Sequence, residues 1–313
     1  MIGANGQLGH ELQSALASVG EVTALTRLDL DLGDETQLQA RITQLLAKHQ
    51  PDVIVNAAAY TAVDKAESEP DLAQQINGTA LKVLAQGAKA INACLIHYST
   101  DYVFAGDKPL TQQYVETDGT NPQSVYGRTK LLGEQMIAQF CPRHLIFRTS
   151  WVFGEHGGNF LKTMLRLAQE RDHLQVVADQ WGAPTSATLI AQTTAQVLTD
   201  MLGAPADDVR WGTYHLVAGG AVTWHQYAQY VVSQAKAAGV ALKLDPQAIK
   251  AIQTKDYPVA ATRPLNSQLN TDKIRQNFGI VLPNWQVGVD MVLKQMLATM
   301  PLAASVMVPQ GKP

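Results

Sequence analysis

Apolar positions along the chain follow two rhythms. Short continuous runs, Val53-Ile54-Val55, Leu95-Ile96-His97-Tyr98 and Leu145-Ile146-Phe147, have the length and β-branched content of buried strands. Glu21 to Thr26 reads as a further strand, ahead of these. Between the strands, apolar residues recur at broadly helical intervals: Leu12, Leu16 and Val19; Leu38, Ile42, Leu45 and Leu46; Ile76, Leu81, Val83 and Leu84; Leu131, Leu132, Met136 and Ile137. That spacing puts apolar side chains on one helix face. Asp34 caps the second helix, which runs to about His49; Asp71 opens the third, which runs to about Asn92. The fourth starts at Gln123 or Ser124 and ends at Phe140, before Pro142. Strand and helix alternate with crossovers long enough to demand parallel pairing, so the pattern predicts an α/β fold with a doubly wound parallel sheet.

After residue 150 the alternation loosens. Helices are expected at Phe160–Arg171, Thr188–Met201, from the Thr223 cap through Ala238, and from about Trp285 to Met300. Strands are expected at Leu174–Val177 and Tyr214–Val217, with turn-rich stretches at 179–185 and 253–270. Residues 1–150 then form a nucleotide-binding domain, residues 151–300 mainly a smaller α/β substrate region, and residues 301–313 a tail without periodicity.

With 313 residues, 46% hydrophobic and 16% charged, the chain has the make-up of a globular protein of one large or two smaller domains. A net charge of −3 argues against a nucleic-acid face. No apolar run reaches membrane-spanning length and no signal segment is recognisable, so a cytoplasmic setting is expected. Cys94 and Cys141 are too few for a disulfide framework. No spacing suggests a metal site.

Candidate chemistry begins at the N-terminus. Gly3, Gly6 and Gly9 form G-x-x-G-x-x-G ahead of the first helix. Such a loop lets backbone N–H groups approach a pyrophosphate at a helix N-terminus, as in Rossmann-like domains. A strand of ~5–6 residues ordinarily leads into such a loop. Only Met1 and Ile2 precede Gly3, so a start several residues upstream, or a truncated first strand, is expected. After the second strand, Arg27 stands where NAD enzymes carry a ribose-binding carboxylate, which suits a 2′-phosphate, although Asp29 and Asp31 follow closely. Asn56-Ala57-Ala58-Ala59-Tyr60 ends a strand in small residues, where a flat ligand can meet the backbone.

Ser99-Thr100-Asp101 closes the next strand, and Tyr126 and Lys130 follow on one helix face. A phenol titrates near ~10, and a neighbouring ammonium favours its ionised form. Thr100 can share the oxygen that gains or loses the proton. The set suits hydride transfer between a nicotinamide and a carbonyl carbon, with proton transfer at the oxygen. His97 reads as a packed residue. Trp151, just past a strand end, reads as an exposed stacking platform or ordinary core, and Arg263, rigidified by Pro264, as a partner for an anion.

These motifs resemble the extended short-chain dehydrogenase/reductase superfamily and, within it, the dTDP-4-dehydrorhamnose reductases. The similarity rests on the glycine loop, Asn56 to Asp64, Ser99 to Phe104, Tyr126-Gly-x-Thr-Lys130, Arg148 to Val152, Asp179-Gln180-x-Gly182-Ala183-Pro184-Thr185 and Arg263-Pro264-x-x-Ser267. It implies reduction of the C4 ketone of dTDP-4-dehydro-L-rhamnose to dTDP-L-rhamnose. Tyr126 would be the proton donor. Lys130 would lower its pKa and hold the nicotinamide ribose, and Thr100 would tune the donor. Thr100, Asp101 and Trp151 would contact the sugar nucleotide. Gly6, Gln7 and Leu8 would meet the pyrophosphate, with Gly3 shaping the loop, and Asp31 and Leu32 the adenine side. Ala58, Ala59, Tyr60, Thr61 and Tyr98 would line the remaining cofactor path. NADPH is the cofactor implied, with NADH left open, and so is a homodimer. Some members bind Mg2+ at a dimer interface. Glu11 matches one such position, but Thr188 stands where another carboxylate is expected, so no catalytic metal is expected. Two other readings keep the fold: a nucleotide-sugar epimerase or dehydratase, or a non-catalytic protein resembling the regulatory β subunit of methionine adenosyltransferase.

Overall fold

The computed structural model describes residues 1–299, and the expected tail at 301–313 lies outside them. Strands β1 (Val53–Asn56), β2 (Cys94–Thr100), β3 (His144–Thr149) and β4 (Gly212–His215) form one parallel sheet in that order. The doubly wound α/β architecture is the one the sequence pattern predicts. β2 is buried along its whole length, as a strand covered on both faces must be.

The expected strand at 21–26 is not formed as a strand. Leu25 forms a single bridge to Ile2, Thr23 accepts from the Met1 ammonium at 2.8 Å, and Ile2 bridges Asn56 on its other side. Ile2 donates to the Val55 carbonyl at 2.8 Å, and Gly3 donates to Leu25 at 2.9 Å. One bridge on each side of Ile2 is all the ladder formed there. A cavity of about 510 Å³ opens beside this stub, walled by Val22, Leu45, Ile54 and Leu198 among others.

Helix α1 (Gln7–Leu16) follows the glycine loop and buries Leu12 and Leu16. Burying one such leucine contributes about 1.5–3 kcal/mol. Helix α2 (Leu38–His49) begins four residues after the expected Asp34 cap. Asp34 instead organises a turn through the backbone N–H groups of Thr36 and Gln37. The single long helix expected from 71 to 92 is broken: Pro70–Gln74 is followed by a π-turn at Gln75–Thr79 and then α3 (Ala80–Ala90). The bulge carries Asn77, whose amide accepts from the Tyr60 N–H at 2.8 Å and donates to the Tyr60 carbonyl at 3.0 Å. Gly78 lies in the same turn, where a Cβ would come within 2.6 Å of Leu132.

Helix α4 (Val125–Phe140) starts at the Ser124 cap, whose Oγ accepts from the Gly127 N–H at 3.1 Å. Beyond β3, the chain builds a second core from α5 (Phe160–Glu170), α6 (Ala187–Met201), α7 (Trp224–Ala237) and α8 (Trp285–Thr299). Phe153, Leu161, Tyr227, Val231, Trp285 and Val289 pack in that core. Leu174–Val177 pairs in parallel with Ile249–Ile252 at its edge. The chain after residue 150 also returns to the sheet: Ile190 and Leu198 of α6, Tyr214 of β4 and Phe278 pack with Leu12 and Ile96.

Candidate functional site

The carboxyl ends of β1, β2 and β3 and the N-terminal ends of α1 and α4 meet on one side of the sheet. That is where ligands enter open α/β sheets. Gly3 adopts φ +87°, and a Cβ there would lie 2.7 Å from the Ala58 nitrogen. A Cβ on Gly9 would lie 2.0 Å from the Gly3 carbonyl oxygen. No side chain caps α1, so its first N–H groups stay open at the loop. Gln7 turns its side chain across to the second core, donating to Val152 O at 3.1 Å and accepting from Asn159 at 2.8 Å. Leu8 packs partly buried below the loop.

Around this loop the remaining expected cofactor residues are spread. Arg27 is exposed and pairs with Asp31 at 3.0 Å. Asp31 also accepts from the Gly33 N–H, and the buried Leu32 offers its carbonyl to Gln75. The Ala58 N–H is held by Asn56. The Tyr60 hydroxyl donates to Glu69 at 2.7 Å. Ala59 is half-buried and Thr61 exposed. The Tyr98 ring lies in the core, stacked on Phe147, with its hydroxyl 2.9 Å from Thr194. Only its backbone carbonyl reaches the site.

Thr100 ends β2 and caps a 3₁₀ turn over Asp101–Val103. Its hydroxyl donates to Asp101 at 3.0 Å. Burial pushes the Asp101 carboxyl up to about 6, against the pull of its hydrogen bonds from Ser267 and Thr100. Tyr126 stands edge-on to Tyr102, with ring centroids 5.6 Å apart. Desolvation raises its phenol above the ordinary range, and a hydrogen bond with Thr100 pulls it partly back. The tyrosine is therefore protonated at neutral pH. Lys130 is fully buried. Its Nζ lies 2.6 Å from the Tyr98 carbonyl and 2.9 Å from His97 Nε2, and burial lowers it to about 7. One turn on, Glu134 takes a bidentate grip on Arg148 of β3, with both side chains buried.

Beside Tyr102 opens a cavity of about 1100 Å³, walled by Asp64, Arg263, Gln180, Phe160 and Trp224 among others. Arg263 is held at its edge, 2.5 Å from Asp64 and 3.0 Å from the Tyr102 hydroxyl. Of the two arrangements left open for Trp151, exposed platform and packed ring, the structure shows the packed one. It is half-buried with φ +48° and stacks on Trp224 at 3.6 Å between centroids. Trp224 is the ring that faces the cavity. Gly182 makes room for the stack, since a Cβ there would lie 2.6 Å from the Trp151 indole. Gly182→Ala is expected to displace Trp151 and cost about 1–3 kcal/mol. Near-UV circular dichroism of the stacked pair should change, and an unaltered spectrum with an unaltered melting temperature would contradict the packing argument.

The structure thus brings Thr100, Asp101, Tyr126 and Lys130 together, with Arg263 reaching them through Tyr102. It keeps Arg27, Asp31 and Leu32 at the far end of the glycine loop. Asp64, Asn77, Tyr102, Trp224 and Ser267 were given no role from the sequence. The Asn77-Gly78 pair within a helical pattern was the one local signal available, because that dipeptide favours breaks in regular structure. Glu11 accepts from Thr188 at 2.9 Å. Among the described residues no three His, Cys, Asp or Glu side chains group as metal ligands.

Residues 1–298 match the family described as RmlD substrate binding domain. The dTDP-4-dehydrorhamnose reductase of Salmonella typhimurium is 48% identical over 299 residues, 96% of this chain and 98% of that protein. Among solved structures, a dTDP-4-dehydrorhamnose reductase from Clostridium acetobutylicum superposes with a TM-score of 0.83 at 33% identity, covering 95% of this chain and 98% of that one. One from Bacillus anthracis, in complex with NADP, gives 0.82 at 33%, covering 94% and 97%. A match across almost the entire chain, on the same α/β frame, means that this protein belongs to the RmlD substrate binding domain family.

Proposed function

We propose that this protein is an NADPH-dependent oxidoreductase that reduces the C4 ketone of dTDP-4-dehydro-L-rhamnose to dTDP-L-rhamnose. The observation that carries the reading is the placement of Tyr126 at the start of α4, edge-on to Tyr102 and beside the Thr100 end of β2, with Lys130 one turn along the same helix. A reductase needs its donor protonated at the start, and the desolvated phenol meets that need. The relatives named above carry this activity in their names.

The residues present fit a dinucleotide. The α1 N-terminus is uncapped, its glycine loop is too tight for any side chain at Gly9, and Arg27 keeps an exposed guanidinium at the adenosine end. A relative's complex with NADP favours the phosphorylated cofactor. When bound, the reduced nicotinamide supplies the hydride to C4. Tyr126 gives its proton to the C4 oxygen, and Thr100 orients the phenol. Lys130 holds the nicotinamide ribose and the proton inventory behind the tyrosine. Asp101 and Arg263 face the sugar nucleotide, with Arg263 exchanging Asp64 for a phosphate oxygen, and Trp224 carries Trp151 at the cavity wall. A cytoplasmic setting and a homodimer belong to the same reading.

Purified protein given dTDP-4-dehydro-L-rhamnose should oxidise NADPH one for one with product formed, and NADH less efficiently. An epimerase would interconvert sugars with no net loss of NADPH, and a purely regulatory subunit would do neither. Either result would overturn the proposal.

A further inference from the structure

One buried polar chain at the strand ends is left unused by the reaction as written. Asn56 and His97 face each other in register on β1 and β2. Both are buried together with Lys130. Asn56 Oδ1 accepts the Ala58 backbone N–H at 3.1 Å. That bond fixes the amide, because turned over its NH2 group would confront another N–H. The NH2 therefore points at His97 Nδ1, 3.2 Å away. A ring nitrogen that accepts carries no proton, so the proton of the neutral imidazole lies on Nε2. Nε2 stands 2.9 Å from Lys130 Nζ. An ammonium there would set two donors against each other. The hydrogen bonds close when Nζ accepts from His97 and donates to the Tyr98 carbonyl at 2.6 Å.

We infer that His97, oriented by Asn56, is a positioning residue for Lys130 and holds its side chain as a neutral, hydrogen-bond-accepting amine before ligands bind. The inference uses the reductase reading only for its kinetic consequence. Burial acts in the same direction on both groups: His97 lies well below the usual imidazole range, and Lys130 falls to about 7. Glu134 on α4 favours the ammonium, but its carboxylate is engaged by Arg148 of β3. From β1 the facing group is the neutral Asn56 amide, and from β2 the neutral Tyr98 carbonyl.

The polarity of the chain is reversible by one substitution. In Asn56→Asp, a carboxylate accepts from the ring, draws the imidazole proton to Nδ1 and leaves Nε2 to accept from an ammonium. Lys130 then holds its proton to higher pH.

Histidine 15N NMR on the cofactor-free wild type reads the tautomer directly. His97 is expected neutral with its proton on Nε2 from about pH 5 to 8, across the range where an ordinary histidine titrates. A proton on Nδ1, or a ring that titrates near ~6.5, would overturn the inference. In the reductase assay, the alkaline limb of kcat/KM against pH, which reads the free enzyme, should move up by about one unit or more in Asn56→Asp. An unmoved limb in a variant shown by NMR to carry the Nδ1 proton would sever His97 from Lys130. Failure of the reductase reading looks different: no ketone-dependent NADPH oxidation at any pH, with the wild-type tautomer measurement standing by itself.

Discussion

Tyr126→Phe is expected to lower turnover about 10²–10⁴-fold, the contribution usual for a positioned general acid. That equals roughly 3–5 kcal/mol of barrier at 1.36 kcal/mol per factor of ten. The substitution removes one oxygen and keeps the ring, so the edge-on packing against Tyr102 persists. The KM values for both substrates should change little, because the phenol is needed when the ketone oxygen gains charge rather than when the ligands dock. Steady-state kinetics beside a thermal melt separate the two effects. A variant that turns over as the wild type does would remove Tyr126 from the chemistry, and a variant that has lost its fold would be seen in the melt.

The parallel sheet was legible because strands buried on both faces read as continuous apolar runs, as Leu95-Ile96 does within β2. The cap at Thr223 was legible because a hydroxyl bonding the first helical turn is a local matter. Tyr126 and Lys130 share a helix face by spacing alone. What the sequence could not show is what lies across the site. Lys130 finds His97, 33 residues away, and Arg263 finds Asp64, 199 residues away. No periodicity encodes such pairs. Trp151 stayed open between platform and core for the same reason, since its exposure depends on Trp224, which arrives from α7. The failed strand at 21–26 shows the opposite limit. Its own residues suit a strand, but a ladder needs a neighbour, and Leu25 finds only the single bridge to Ile2. The π-turn at Gln75–Thr79 left its mark only as the five-residue gap from Ile76 to Leu81, which a single gap in a helical pattern does not distinguish from a variation in one regular helix.

Arg148→Ala is expected to be the most destabilising single change near the site, at about 3–5 kcal/mol. Arg148 and Glu134 are both buried, and their contacts run at 3.0 Å and 2.7 Å in bidentate geometry. Replacing two charges by well-packed apolar groups can be neutral, but deleting one partner leaves the other charge buried and uncompensated. The melting temperature should fall on the order of 10 °C. Arg148→Met combined with Glu134→Leu should recover most of that loss. Activity should follow a different course. The pair ties α4 to β3, so it sets where Tyr126 and Lys130 stand relative to Thr100 on β2. Glu134 also favours the charged form of Lys130. In the double variant Lys130 therefore loses that support, and the alkaline limb of kcat should shift to lower pH even though the fold is restored. Recovery of the wild-type melt together with an unshifted limb would leave the ion pair a purely structural tie. Failure of the double variant to recover any stability would mean that the single variant's loss comes from packing around the arginine stem rather than from the stranded carboxylate.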